Sequence, residues 1–190
     1  MQVAGALVNL LLIAACCYAM YSLTPADNPY GYLAAAFSLV HGLLGLLLSF
    51  SEEPDECDRT FLISASILEV IPLPLANVEF YLVSDQSGVA MVHGLSLIPL
   101  FYDMIGKIGD EWDGSAKTLK DFALLGNIAS TFYLAVKDGN HIYGGVAVTA
   151  IIARFGALLI DLFAEGFGPH VATVGNAGIL ALMTYALTQG

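Results

Sequence analysis

The sequence predicts an all-α, polytopic transmembrane helical bundle, and three observations predict it. Of 190 residues, 57% are hydrophobic and only 12% charged, whereas an average soluble domain is about one quarter charged; the mean hydropathy is +0.75. Seven apolar stretches follow one another, at 3–22, 30–50, 60–83, 89–106, 119–137, 141–164 and 169–188. Each is within or near the roughly 17–25 residues that cross a bilayer core as a helix. The connections are short, so 1–190 reads as a single integral membrane domain. Backbone polar groups in hydrocarbon must be satisfied within the segment, which selects helices over other structures. The count falls from seven spans to six if 89–106 or 119–137 only dips into the membrane.

Span 1 begins almost at Met1, without the basic leader or small-residue cleavage site of a secretory signal, and is expected to be retained. Span 2 aligns Ala34, Ser38, His41 and Gly45 on one stripe, and span 3 does so with Ala65, Ser66, Glu69, Pro72 and Ala76. Ile71-Pro72-Leu73-Pro74 interrupts span 3. Each proline lacks an N–H and clashes one turn back, so Pro72 and Pro74 should kink or break the helix within a turn of Glu69. Pro99 adds a bend in the middle of span 4. Span 5 aligns Ala123, Asn127, Ser130 and Thr131, and span 6 aligns Ala147, Ala150, Arg154, Ala157 and Asp161. Span 7 carries Asn176. Small residues let helices approach closely, with the polar residue held between them.

Spans 2 and 6 align without a gap from Tyr30-Gly31 to Phe50 and from Tyr143-Gly144 to Phe163, which sets His41 opposite Arg154. Spans 1 and 5 each carry a central asparagine. The pattern fits a parallel 3+1+3 repeat, one of the ways transporters are built around a midplane site; chance similarity between apolar stretches fits it as well.

Depth gathers the polar residues. At about 1.5 Å of rise per residue, His41, Asn127 and Arg154 fall within roughly 2 Å of their span centres. Glu69, Asn9 and Asn176 fall about 4–5 Å from theirs. With alternating span direction, all six are displaced toward the same membrane face. Such groups are costly in lipid and mark a bundle interior or wet cavity. Glu69 and Arg154 form the natural ion pair, because each alone would be an unpaired buried charge. His41 is the one central group that ordinarily titrates near neutrality. Glu69 would act as switchable acid, Arg154 as its competitor or cargo anchor, and His41 as relay. Asn9, Asn127 and Asn176 serve as supporting polar groups, with interhelical packing the plainer role for all three. Glu79, Asp103 and Asp161 lie nearer span ends, within reach of headgroups or water.

The net charge of −11 resides mostly in loops, which disfavours nucleic acid and anionic lipid partners. The densest run, 51–58, is a candidate attachment point for a cation or basic partner, or simply a solvated loop. With alternating spans, Arg59, Lys107, Lys117 and Lys120 fall on one side and Lys137 on the other, which places the N-terminus in the cytoplasm. Cys16, Cys17 and Cys57 form no CxxC and give neither a disulfide framework nor a metal site. No cofactor is expected: His41 and His93 differ in depth by roughly 8 Å, too far to share a haem, and span 7 has no lysine for a Schiff base. Catalytic fingerprints are missing, so the expectation is not an enzyme. Two roles remain. The first is a small transporter or channel-like protein moving a proton, ion or small polar solute. The second is a non-catalytic accessory or scaffold subunit of a membrane complex. Partners beyond the bilayer would be further copies of the chain or a larger assembly.

Overall fold

The computed structural model describes residues 2–51, 58–108 and 114–189, and every regular element among them is helical. The chain runs through α1 (Gln2–Ser22), α2 (Pro29–Leu48), α3 (Asp58–Val70), α4 (Pro72–Val83), α5 (Ser87–Leu95), α6 (Ile98–Ile108), α7 (Gly114–Asp138), α8 (His141–Ile151), a π-helical turn (Ile152–Gly156), α9 (Ala157–Phe163) and α10 (Gly168–Gln189). Residues 52–57, which make up most of the acidic 51–58 run, lie outside the described residues.

Five helical segments are long and apolar enough to cross a membrane: Val3–Ser22, Pro29–Leu48, Arg59–Val83, His141–Phe163 and Gly168–Gln189. The other two expected spans differ for separate reasons. Residues 89–106 divide into the short α5 and α6, because Pro99 cannot donate back to Leu95 and the Ser96 hydroxyl donates to the His93 carbonyl at 2.6 Å. α7 is 25 residues long but carries Lys120, Asp121, Asn127, Ser130 and Thr131, which lower its average hydropathy.

Those α7 residues explain the inside-out character of the fold. Lys120, Asn127 and Thr131 are buried, whereas Phe122, Leu125, Phe132 and Tyr133 are exposed. The rest of the bundle follows suit. Asn9, Ser38, His41, Asn77, Glu79 and Arg154 are all buried, and Leu7, Leu11, Val40, Leu47, Leu159 and Phe163 face outward. Many apolar side chains face outward and polar ones meet each other inside, the arrangement that a hydrocarbon solvent would favour.

α10 is the central post. It packs on α1, α8, the π turn and α9, and more lightly on α4 and α2; α4 in turn packs on α2, α5 and α7. Its closest approach is to the π turn, where a Cβ on Gly175 would stand 2.5 Å from the Ala153 Cβ and 2.7 Å from its Cα. Two remote carboxylates finish helix ends. Glu79, 2% exposed, accepts from the backbone N–H of Tyr30 at 2.9 Å and Gly31 at 3.0 Å, and so satisfies the start of α2. Asp161 accepts from Gly166 and Gly168, both at 3.0 Å, at the start of α10. Negative charge is favoured at a helix N-terminus, where free N–H groups point outward. Glu79 is therefore a buried structural group and does not reach headgroups as its position near a span end suggests.

Candidate functional site

The break in span 3 falls at Ile71, between α3 and α4, with Pro72 as the first residue of α4 and Pro74 as its third. Glu69 thus sits on the last turn of α3. Arg154 is the middle residue of the π turn between α8 and α9. A single π turn inside an α-helix carries one residue more than the regular ladder and is often found at functional sites. Both charged residues are therefore placed by irregular backbone.

They meet. Arg154 Nη1 lies 3.2 Å from Glu69 Oε1, and Lys120 Nζ lies 3.3 Å from Glu69 Oε2. Lys120 also reaches Asp103 Oδ2 at 3.1 Å, and Arg154 Nε donates to Asp121 Oδ1 at 2.6 Å. The result is a chain of five ionisable groups, Asp103–Lys120–Glu69–Arg154–Asp121, that ties together α3, α6, α7 and the π turn. Lys120 and Arg154 are almost completely enclosed, at 5% and 9% side-chain exposure, whereas Glu69 keeps 36%. Among these five groups, three are carboxylates and two are cations. Arg154 Nη2 is buried and has no partner among the described residues.

Glu69 opens onto a cavity of about 600 Å³. Asn9, His41, Arg154 and Asn176 share its wall with Glu69. The lining runs from residues at or near helix ends on one side of the bundle (Gly5, Ser49, Gly166 and Pro169) inward to Leu73 and Ile179. Toward the opposite face the interior is filled. Phe80, Val146, Leu180 and Met183 are fully buried there, and the rings of Phe80 and Tyr143 stand 4.3 Å apart. The described helix-end residues of the lining thus lie on the side to which depth displaces the polar residues.

His41 is fixed by two contacts: its ring stacks on Phe61 at 4.9 Å, and its Nδ1 lies 2.9 Å from Ser64 Oγ. The Ser64 hydroxyl also lies 2.8 Å from the Phe61 carbonyl, so Ser64 joins the His41 ring to the backbone of α3. Asn9 donates to the Gly5 carbonyl and Asn176 to the Ala172 carbonyl, both at 2.9 Å. Oδ1 of Asn9 rests against Gly45, where a Cβ would come within 2.5 Å, and finds no partner among the described residues.

Asn127 belongs elsewhere, although its depth groups it with the others. It accepts from Asn77 Nδ2 at 3.0 Å, lies 2.8 Å from His93 Nδ1, and donates to Ser96 Oγ at 3.0 Å. His93 Nε2 and Tyr81 Oη converge on Ser130 Oγ at 2.9 and 2.7 Å, and Thr131 donates to Asn77 Oδ1 at 2.7 Å. These residues bind α4, α5 and α7 together in a closed network, apart from the cavity.

Three members of the charged chain escape sequence reading. Lys120 counts as a loop cation by position, and Asp103 as a headgroup-facing carboxylate; both are in fact inside. The orientation count therefore drops to Arg59, Lys107 and Lys117 against Lys137. Asp121 gives no signal of its own beyond its place one residue after Lys120.

A family model described as a domain of unknown function (DUF4791) matches residues 25–187. That stretch contains all five ionisable groups and the closed network, with α1 and Asn9 lying before it. No curated protein matches, and no solved structure does.

Proposed function

This chain belongs to the DUF4791 family, and we propose that it moves a proton, an ion or a small polar solute across a membrane. The observation that carries this reading is the cavity bordered by the Glu69–Arg154 pair. A charged pair is an expensive way to hold helices together in lipid, and here it borders open space. Glu69 is the switchable group: it is the most exposed member of its network and sits between two cations. A proton or cation arriving at its carboxylate weakens its hold on Arg154 and Lys120 together, and so loosens α3 from α7 and the π turn. The interrupted helices on either side of the pair supply places to bend. The Phe80–Tyr143 contact serves as the closed gate of the opposite face.

Seven crossings accompany this reading, with α5–α6 and α7 as the two beyond the five long apolar segments. Their outward Met91, Phe101 and Ile105, and Phe122, Leu125 and Tyr133, support it. The 3+1+3 repeat and the cytoplasmic N-terminus remain proposals of the same kind.

The rival role, an accessory or scaffold subunit, draws on the Asn77–His93–Asn127 network, where polar groups in the same bundle do nothing but join helices. Flux separates the two roles. Purified protein in proteoliposomes should dissipate a pH or cation gradient, and Glu69→Gln and Arg154→Gln should each reduce the rate at least tenfold in protein that still elutes as a folded species. Wild-type flux in both variants would remove the transport reading. Lost folding or assembly without any wild-type flux would favour the scaffold.

A further inference from the structure

We infer that the cavity binds a small monocarboxylate with an apolar body, held by the Arg154 guanidinium when Glu69 carries a proton. This names the cargo class of the site proposed above and rests on that reading for its purpose.

The sign of the head follows from the donor left over. Glu69 divides its carboxylate, one oxygen to Arg154 Nη1 at 3.2 Å and the other to Lys120 Nζ at 3.3 Å. It therefore meets Arg154 through a single prong. Asp121 takes Nε through Oδ1, and Nη2 is buried with no partner among the described residues. A buried donor left unsatisfied is costly. This one belongs to a residue of the cavity wall whose side chain is only 9% exposed. Arginine and carboxylate frequently meet through two parallel N–H···O bonds. A carboxylate free of Lys120 can make both, at Nη1 and Nη2, which Glu69 in its present place does not.

The proton releases that edge. Protonated Glu69 loses its charge attraction to both cations. Lys120 keeps Asp103 at 3.1 Å and Arg154 keeps Asp121, so the Nη1–Nη2 edge alone comes free. One negative charge is cancelled as the proton arrives and one returns with the ligand, so the charge of the network is the same before and after, whatever its absolute value. Lys120 and Arg154 touch Glu69, and Asp103 and Asp121 stand behind these two cations. His41 on α2, Asp161 on α9 and His170 on α10 line the same cavity, whereas Glu79 on α4 is engaged at the start of α2.

The body follows from the walls. Among the described residues Arg154 is the one arginine of the lining, and no lysine joins it. A second negative charge on the ligand would find no second guanidinium or ammonium there. Away from the polar band the lining is apolar, including Val8, Leu48, Leu73, Leu124 and Ile179. A bare ion is far smaller than about 600 Å³, a volume within the range of cavities that take drug-sized ligands.

The test uses the full chain in phosphatidylcholine nanodiscs with radiolabelled benzoate as probe and empty nanodiscs as the blank. Binding should saturate and be at least tenfold tighter at mildly acid than at mildly alkaline pH. Benzylammonium and benzyl alcohol, which share the ring but not the carboxylate, should not compete. Arg154→Gln should weaken binding at least tenfold. Glu69→Gln, neutral at every pH and with Arg154 intact, should keep the acid-side affinity throughout and lose the pH dependence. It reads the inference even if Arg154→Gln does not fold. Competition by benzylammonium equal to that of unlabelled benzoate, wild-type pH dependence in Glu69→Gln, wild-type affinity in Arg154→Gln, or no benzoate binding to folded protein would overturn the inference. Proton and benzoate flux measured on the same preparation keeps the two proposals distinct. Proton flux without benzoate binding overturns this one alone; benzoate binding of the expected pattern without any flux overturns the transport reading alone.

Discussion

Lys120 Nζ stands 3.3 Å from Glu69 Oε2, while Arg154 Nη1 takes the other oxygen of the same carboxylate at 3.2 Å. One acid on α3 therefore holds two cations from different parts of the chain. Removing Lys120 should be costly, because Asp103 and Glu69 then lose a shared partner inside the bundle. Breaking a buried ion pair from one side typically costs about 3–5 kcal/mol. Glu69's partial exposure should place Lys120→Met toward the lower end. Thermal melting in detergent should show a clear fall in Tm, and adding Asp103→Asn should recover part of it. A Lys120→Met protein as stable as wild type would show that the contact carries little energy.

Glu79 makes a different kind of contact. Its carboxylate satisfies two N–H groups at the start of α2, a place where losing a cap costs about 0.5–2 kcal/mol. Glu79→Gln keeps one acceptor oxygen without the charge, so it should be milder than Glu79→Ala. Both should lower Tm and leave flux per folded molecule unchanged, since Glu79 is not part of the cavity wall.

The closed network should behave as packing. Interhelical hydrogen bonds in membranes average about 0.6 kcal/mol and reach about 1.7. Asn127→Leu strips partners from Asn77, His93 and Ser96 at once and should cost more than one such bond. Its effect belongs in the melting curve. A tenfold loss of flux with normal stability would give Asn127 a role that its position away from the cavity does not explain.

Two glycines test the close approaches. Gly175→Ala sets a Cβ against Ala153 backbone and Cβ atoms, which cannot yield without moving the π turn, and it should be among the most damaging substitutions in the chain. Gly45→Ala brings a Cβ closest to the Asn9 amide, a movable side chain. Its destabilisation should be largely relieved by Asn9→Ala. Melting temperatures of the single and double variants check both statements.

The helices were legible in the sequence because long apolar runs have few alternatives, and the break at Ile71 because Pro72 and Pro74 remove hydrogen bonds. Depth and alternating direction sufficed to group Glu69 with Arg154. Depth is only one coordinate, however. Asn127 lies at the same level and faces a different set of neighbours, and which helices adjoin around the bundle is decided by side-chain packing that hydropathy does not record. Lys120 and Asp103 were hidden for a related reason: near a span end, a charge can turn outward to headgroups or inward to a partner, and only the partner's position decides. Glu79 meets α2 at Tyr30 and Gly31, far away in the chain, and the π turn at Arg154 has no proline or other local signal to announce it.

Whether the cavity is wet and open to one side is the claim on which the functional account stands, and cysteine accessibility tests it most directly. In a background with Cys16, Cys17 and Cys57 replaced, Ala65→Cys on the cavity wall should react with a charged, membrane-impermeant thiol reagent added on the N-terminal side, and Ala76→Cys, fully buried, should not. Reaction from that side only, slowed by Leu62→Trp, is the predicted result. An Ala65→Cys protein that is folded yet unreactive from either side would mean a dry, packed interior and would contradict the account.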